Sequence, residues 1–438
     1  MQQYFYDLAD ELIGSLRGDQ VLLLYLEGET SDFVRLNHNA VRQAGHVKQN
    51  HLTLTLIRQG KQAAASLELC CQRAQDTAAA KQQLDALAEQ IHHLPDDPFI
   101  HYATDVNNSE FHQQHPLPSS QEALEQILTL AQGLDLVGIW ANGTMYRGFA
   151  NSLGQKNWHN QNSFNFDWSI YQEADKAVKC GYAGFDWNND TLNNKIQHAH
   201  QAIAILKQPL KTIHPGQYRT YFSPAALCEF LDMMSWGGFG LKSHKAQHTP
   251  LIKMVNDDWQ LNKAFNLVEH HQNGLTPSFT RHGFIKPEQV NLITQGKFDT
   301  CLTNPRSAKE YSAITNCDQE HPESLQLNSG TLQQQEILKQ LDTGLYINNL
   351  WYCNFSDHNH CRITGMTRFA CFWVEDGEIV APINVMRFDD SIYNIFGKNF
   401  VDFTQQQETI LDAGSYEQRS CGSYRVPGAL VNDFTLTL

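Results

Sequence analysis

Apolar residues recur at helical spacing across residues 4–16, at Tyr4, Phe5, Leu8, Leu12, Ile13 and Leu16. The chain is therefore expected to open with an amphipathic helix. Residues 21–26 form a continuous apolar run that predicts a buried strand, and residues 32–37 predict a second one. Leu52, Leu54 and Leu56 alternate with Thr53 and Thr55, the period of a strand with one buried face. Gly60 supplies a turn into residues 63–69. Residues 75–93 and 120–133 read as helices. Strands and helices in this order predict an α+β layer domain.

Further on, residues 137–140 and 144–148 flank Asn142-Gly143, a hairpin signal. A turn is expected at 151–154, a strand at 164–171 and a helix at 191–207, ending before Pro209. The Pro215-Gly216 pair places a boundary, giving an N-terminal α+β domain over 1–213 and a β-rich C-terminal domain over 214–438. A strand is expected at 217–222. A helix follows, with Ser223 as N-cap and Pro224 in its first position. Leu227, Phe230, Leu231 and Met234 give that helix one apolar stripe, and Gly237-Gly238 ends it. Helices are expected at 287–296 and 331–341, and strands at 344–354, 366–375 and 378–388. Glu375-Asp376-Gly377-Glu378 turns between the last two, and residues 421–438 close a sheet.

Composition narrows the functional classes. The net charge is −15, with no concentrated basic patch, so a nucleic-acid partner is not expected. No run approaches the roughly 20 apolar residues needed to span a bilayer. The start, Met1-Gln2-Gln3-Tyr4, lacks the basic and apolar regions of a secretion signal. A cytoplasmic location is expected. The ten cysteines contain no CxxC pair, which removes the commonest zinc and thioredoxin patterns.

Two groups of residues carry candidate chemistry. Cys228 and Glu229 lie on the 224–234 helix, away from its apolar stripe, where a glutamate beside a cleft could act as a general base. The plainer reading is a solvated glutamate beside a packed cysteine. Cys353, His358, His360 and Cys361 are zinc-ligand types in a polar loop, but their spacing fits no common site. In an extended chain His360 and Cys361 would point apart, so the plainer reading is an exposed hairpin tip. His198 and His200 sit about 200° apart around a helix and cannot chelate together. Ser243 with His244 and His248 lacks the GxSxG elbow. There is no P-loop, no GxGxxG, no HExxH and no HExxxH.

The block 344–352 (GLYINNLWY), with 363–370 (ITGMTRFA) and 372–382 (FWVEDGEIVAP), resembles the C-terminal domain of the TldD/PmbA family. Cys421-Gly422-Ser423 and Pro427-Gly428 extend the resemblance. So do residues 31–37 (SDFVRLN), 41–45 (VRQAG), Asn151-Ser152 and Gly154. The resemblance implies a two-domain dimer working in peptide maturation and proteolysis. In the TldD branch a helix with HExxxH and a downstream cysteine holds the metal. Matched on Glu229, that helix carries Cys228 and Met233 in the two histidine places, and Cys421 falls at the metal cysteine. The resemblance therefore points to the PmbA/TldE-like branch. It implies a non-catalytic companion with no cofactor of its own, zinc in a TldD-like partner subunit, and unfolded peptide as substrate.

Two other expectations stand beside it. One is a hydrolase in its own right, with a non-standard site around Cys228, Glu229 and Cys421. The other is a peptide-binding or scaffold homodimer without peptidase function.

Overall fold

The computed structural model describes residues 1–113, 115–173 and 176–438. It is an α+β protein built on two sheets. The first sheet holds β1 (Val21–Asn37), β2 (Ala40–Arg58), β3 (Lys61–Glu68), β4 (Ser109–Gln113), β5 (Asp135–Asn151), β6 (Lys156–Glu173) and β7 (Lys176–Gly184). Its order is β3-β2-β1-β5-β6-β4, with β7 also paired to β6. Pairing is antiparallel except for β4 with β6.

One face of this sheet carries all of its helices. Leu22, Leu24, Leu26, Val34 and Leu36 recur every second residue along β1 and are buried there. Over the near half lie α1 (Gln2–Ile13) and α2 (Arg73–Gln90). Over the far half, α3 (Ser120–Leu130) and α4 (Asn189–Leu206) cover Trp140, Phe164, Phe166 and Trp168. On the opposite face, Leu23, Tyr25 and Phe149 pack against Phe279 from the second half of the chain. Farther along that face Phe33, Arg35 and Ile139 line open cavities.

The second sheet has thirteen strands. They are β8 (Gly216–Phe222), β9 (Leu267–His270), β10 (Gln289–Thr294), β11 (Lys297–Phe298), β12 (Ser324–Leu327), β13 (Gly344–Ile347), β14 (Asn349–Asp357), β15 (Arg362–Arg368), β16 (Phe372–Glu375), β17 (Glu378–Pro382), β18 (Arg387–Ser391), β19 (Phe400–Leu411) and β20 (Ser423–Leu436). β20 is its hub and pairs with β8, β12, β18 and β19. Helix α5 (Pro224–Ser235) packs on this sheet through Leu227, Phe230, Leu231 and Met234. Among the described residues, no helix is long and apolar enough to cross a membrane.

Three expectations from the sequence are corrected. Residues 21–26 and 32–37 are not two strands but the ends of β1. The polar break between them stays extended because its polar groups are bonded inside: Glu29 accepts from Ser31 Oγ at 2.8 Å and from Gln49 Nε2 at 2.6 Å. Asn142-Gly143 is not a turn but the middle of β5. Gly143 is needed because the backbone of β1 passes so close that a Cβ there would lie 2.1 Å from the Thr30 carbonyl oxygen. Residues 287–296 are not a helix but the strand β10 and the turn into β11. Val290 and Leu292 are buried while Gln289 and Asn291 are exposed, a period of two. Gln295 and Gly296, at φ of 50° and 76°, make the turn.

Candidate functional site

Helix α5 presents two faces because its apolar stripe is consumed by the core. The other face carries Cys228, Glu229 and Asp232, at i, i+1 and i+4. The start of α5 is fixed by Ser223, whose Oγ accepts from the Ala226 N–H at 3.2 Å and donates to the Asn348 carbonyl at 2.6 Å. Ser223→Ala is expected to cost about 1–2 kcal/mol through loss of the cap, measured by urea unfolding. An unchanged midpoint would mean that the cap is redundant.

Opposite α5 stands the segment linking β19 to β20. Its neck is closed by the Asp412 N–H donating to the Gly422 carbonyl at 2.9 Å. Its far side is hooked onto the first sheet by Arg419, which is 5% exposed. The Arg419 guanidinium donates to Ser163 Oγ at 2.6 Å, and the Arg419 N–H donates to Glu29 at 3.2 Å. Two residues further on, Cys421 Sγ accepts from Arg147 Nη2 at 3.1 Å. Arg147 is itself buried, with its Nε facing Glu27 at 3.4 Å.

Between these walls lies a cleft of about 410 Å³. Cys228, Glu229, Asp232, Glu323, Asp412 and Cys421 line it, together with His321 and Tyr424. Burial, reinforced by Asp232 and opposed by Lys179, raises the Glu229 carboxyl to about 7. Among the described residues Glu229 takes no hydrogen bond, while Asp232 accepts from the Tyr424 hydroxyl at 3.2 Å. Burial also lifts the thiols. Cys228 is raised well above the ordinary range, with Glu229 adding to the effect. Cys421 is raised by burial, with Arg147 pulling the other way.

Cys228, Glu229 and Cys421 thus share one cleft. Cys353, His358, His360 and Cys361 do not meet. Burial raises the Cys353 thiol to about 12, with Glu229 and Asp232 contributing. His358 packs its ring on Phe355. His360 points outward, with its Nδ1 2.7 Å from Asp357 and its ring against Trp259. Cys361, in a left-handed turn, is fully buried in the core. Asp232 was legible as the position four residues after Cys228. Arg147 and Asp412 carried no such local signal: the β19–β20 neck sets Asp412 beside Glu229, and only the packing of the two halves brings Arg147 to Cys421.

The donors around α5 do not fit a zinc held by three protein ligands. Met233, which the resemblance sets at the second histidine place, is turned into the core at 1% exposure. Both thiols are held protonated, and Cys421 is engaged by Arg147. Among the described residues, no three His, Cys, Asp or Glu side chains gather in a way that could hold a metal ion. A half-buried carboxyl near neutrality can exchange a proton or bind a cation, and burial raises both thiols beside it.

Residues 215–438, more than half of the chain, match the family described as PmbA/TldA metallopeptidase C-terminal domain. The chain belongs to the TldD/PmbA family. No curated protein matches it by sequence. Solved structures resemble it over almost the full length. TldE from Thermococcus kodakarensis is 13% identical with a TM-score of 0.79, covering 99% of this chain and 100% of its own. A Thermotoga maritima protein named for a proposed modulation of a DNA gyrase is 14% identical with a TM-score of 0.74, covering 99% and 100%. A similarly named Bacteroides thetaiotaomicron protein is 13% identical with a TM-score of 0.74, covering 99% and 98%. At these identities the likeness is one of fold.

Proposed function

We propose that this chain is a PmbA/TldE-like companion subunit of an HExxxH-bearing TldD-type metallopeptidase, and that it holds extended peptide without cleaving it. One observation carries the reading. Cys228, Glu229 and Cys421 line one cleft, and the two places that the resemblance gives to the metal-binding histidines hold Cys228, whose thiol burial pushes up, and Met233, which is turned into the core. Zinc would then reside in the partner subunit, and the pair would act on unfolded peptide in the cytoplasm.

The test mixes the purified chain with its TldD-like partner. Co-elution on size exclusion is expected, together with peptide cleavage that neither subunit performs alone. Independent elution with unchanged cleavage would sink the proposal.

A second reading, hydrolysis by this chain itself, is favoured by the near-neutral, unbonded Glu229. It requires that chain purified without a tag cleave peptide and that Glu229→Ala abolish the cleavage. Unchanged activity in that variant would remove it.

A further inference from the structure

The α5 cleft is one end of a longer trench. It shares Cys228, Glu229 and Asp412 with a neighbouring cavity of about 280 Å³. That cavity shares Asp167 and Lys179 with another of about 450 Å³ on the open face of the first sheet. The third shares Arg35 and Ile139 with a fourth of about 400 Å³ under the β1–β2 hairpin. These cavities run together from one sheet to the other, bordered by the β19–β20 segment.

Charge changes along the way. The α5 end is lined by four carboxylates, those of Glu229, Asp232, Glu323 and Asp412. The third cavity is lined by Arg35, Arg42 and Lys179, with Asp167 as its one acid. The fourth adds Glu29 and Glu417 beside Arg35, and Glu29 already accepts from Ser31, Gln49 and the Arg419 N–H. Asp167 is already taken by Lys179. Arg35 and Arg42 have no ion pair among the described residues, whereas six other arginines bind an aspartate or glutamate. Local backbone geometry brings Arg35 and Arg42 together. Arg35 pairs with Gln43 and Leu36 with Val41, so Arg42 is the extra residue of a β-bulge, a device that re-aims a side chain.

We infer that Arg35 and Arg42 form a carboxylate-binding subsite for the acidic end of an extended peptide lying in the trench. The planar guanidinium fork matches a carboxylate in two parallel hydrogen bonds. Both side chains are exposed, so little desolvation opposes capture. The inference rests on the reading of the α5 cleft as a peptide site, and it adds a charge preference and a direction. A peptide with its cationic end at Glu229 and its anionic end at Arg35 matches the trench, and the reversed peptide opposes it.

The test uses two unstructured peptides of equal length and apolar content, one ending in aspartates and one in asparagines. Fluorescence anisotropy on the full chain at low salt is expected to give about tenfold tighter binding of the aspartate peptide. R35Q/R42Q should abolish that difference, and its salt dependence, while leaving the asparagine peptide unchanged. Both positions are exposed, so the double variant should fold as the parent does. Equal binding of the two peptides to the parent chain overturns the subsite and leaves the α5 reading standing. So does a preference that survives in R35Q/R42Q. Binding of neither peptide overturns both.

Discussion

Arg147→Ala is expected to destabilise the folded chain by roughly 3–5 kcal/mol, the range for removing one partner of a buried ion pair. Arg147 is a strand residue of β5 and is 5% exposed. Its Nη1 donates to the Tyr146 carbonyl at 2.9 Å and the Gly28 carbonyl at 3.4 Å. Its Nη2 reaches Cys421, and its Nε faces Glu27. Alanine leaves a half-buried carboxylate and two carbonyls without their donor, and a cavity where the guanidinium lay. The damage should also be local to the cleft, because Arg147 ties the Cys421 end of the β19–β20 segment to the first sheet. Cys421 should therefore react faster with a thiol reagent in the variant. Pairing Arg147→Met with Glu27→Leu should recover part of the loss, since it removes the charge and its partner together. A loss below about 1 kcal/mol, with unchanged thiol reactivity, would mean that the arginine is dispensable.

Glu229→Gln is expected to flatten the pH dependence of stability between pH 5 and 8. The Glu229 carboxyl titrates at about 7 in the folded chain, against 4.5 when exposed, because burial and Asp232 disfavour its ionised form. Between those values the folded chain binds more protons than the unfolded one, so stability falls as pH rises. The contribution is complete below 4.5 and is lost as pH passes through 7. At 1.36 kcal/mol per pKa unit, the parent should lose roughly 3 kcal/mol over this interval relative to Glu229→Gln, which stays neutral. Glu269, raised to about 8 chiefly by burial, acts in the same direction. His159 and His271, lowered to about 3 chiefly by burial, act in the opposite one, costing stability as pH falls below 6.5. These groups are common to both proteins and cancel in the difference. Urea unfolding of the pair at several pH values measures it. Parallel curves would mean that Glu229 is solvated in the folded chain. Ionisation of Glu229 above pH 7 should also strengthen capture of a cationic peptide end in the parent and not in Glu229→Gln.

Much of this architecture could be read locally. Helix α5 announced itself through Ser223, Pro224 and the spacing of Leu227, Phe230, Leu231 and Met234. The hairpin between β16 and β17 followed from Asp376-Gly377, both at positive φ. The α+β class followed from the alternation of periods. Two of the three errors share one cause. Asn142-Gly143 and the polar stretch around Glu29 have the composition of turns, yet both lie in strands. Their polar groups find partners from distant segments, such as Arg419, 390 residues after Glu29.

The candidate site divides in the same way. By itself the sequence determined that α5 exists, that Cys228 and Glu229 lie off its apolar face, and that no HExxxH is present, because helix period and motif spacing are properties of neighbouring residues. Only the tertiary structure decided that Cys421 and Asp412 face Glu229, that Met233 is turned into the core, and that Arg147 holds the cleft's far wall. It also decided that Cys353, His358, His360 and Cys361 go separate ways. Those outcomes depend on how two sheets dock and on which side chains that docking removes from water. Burial then sets the charge of the cleft, raising Glu229 to about 7 and keeping its thiols protonated.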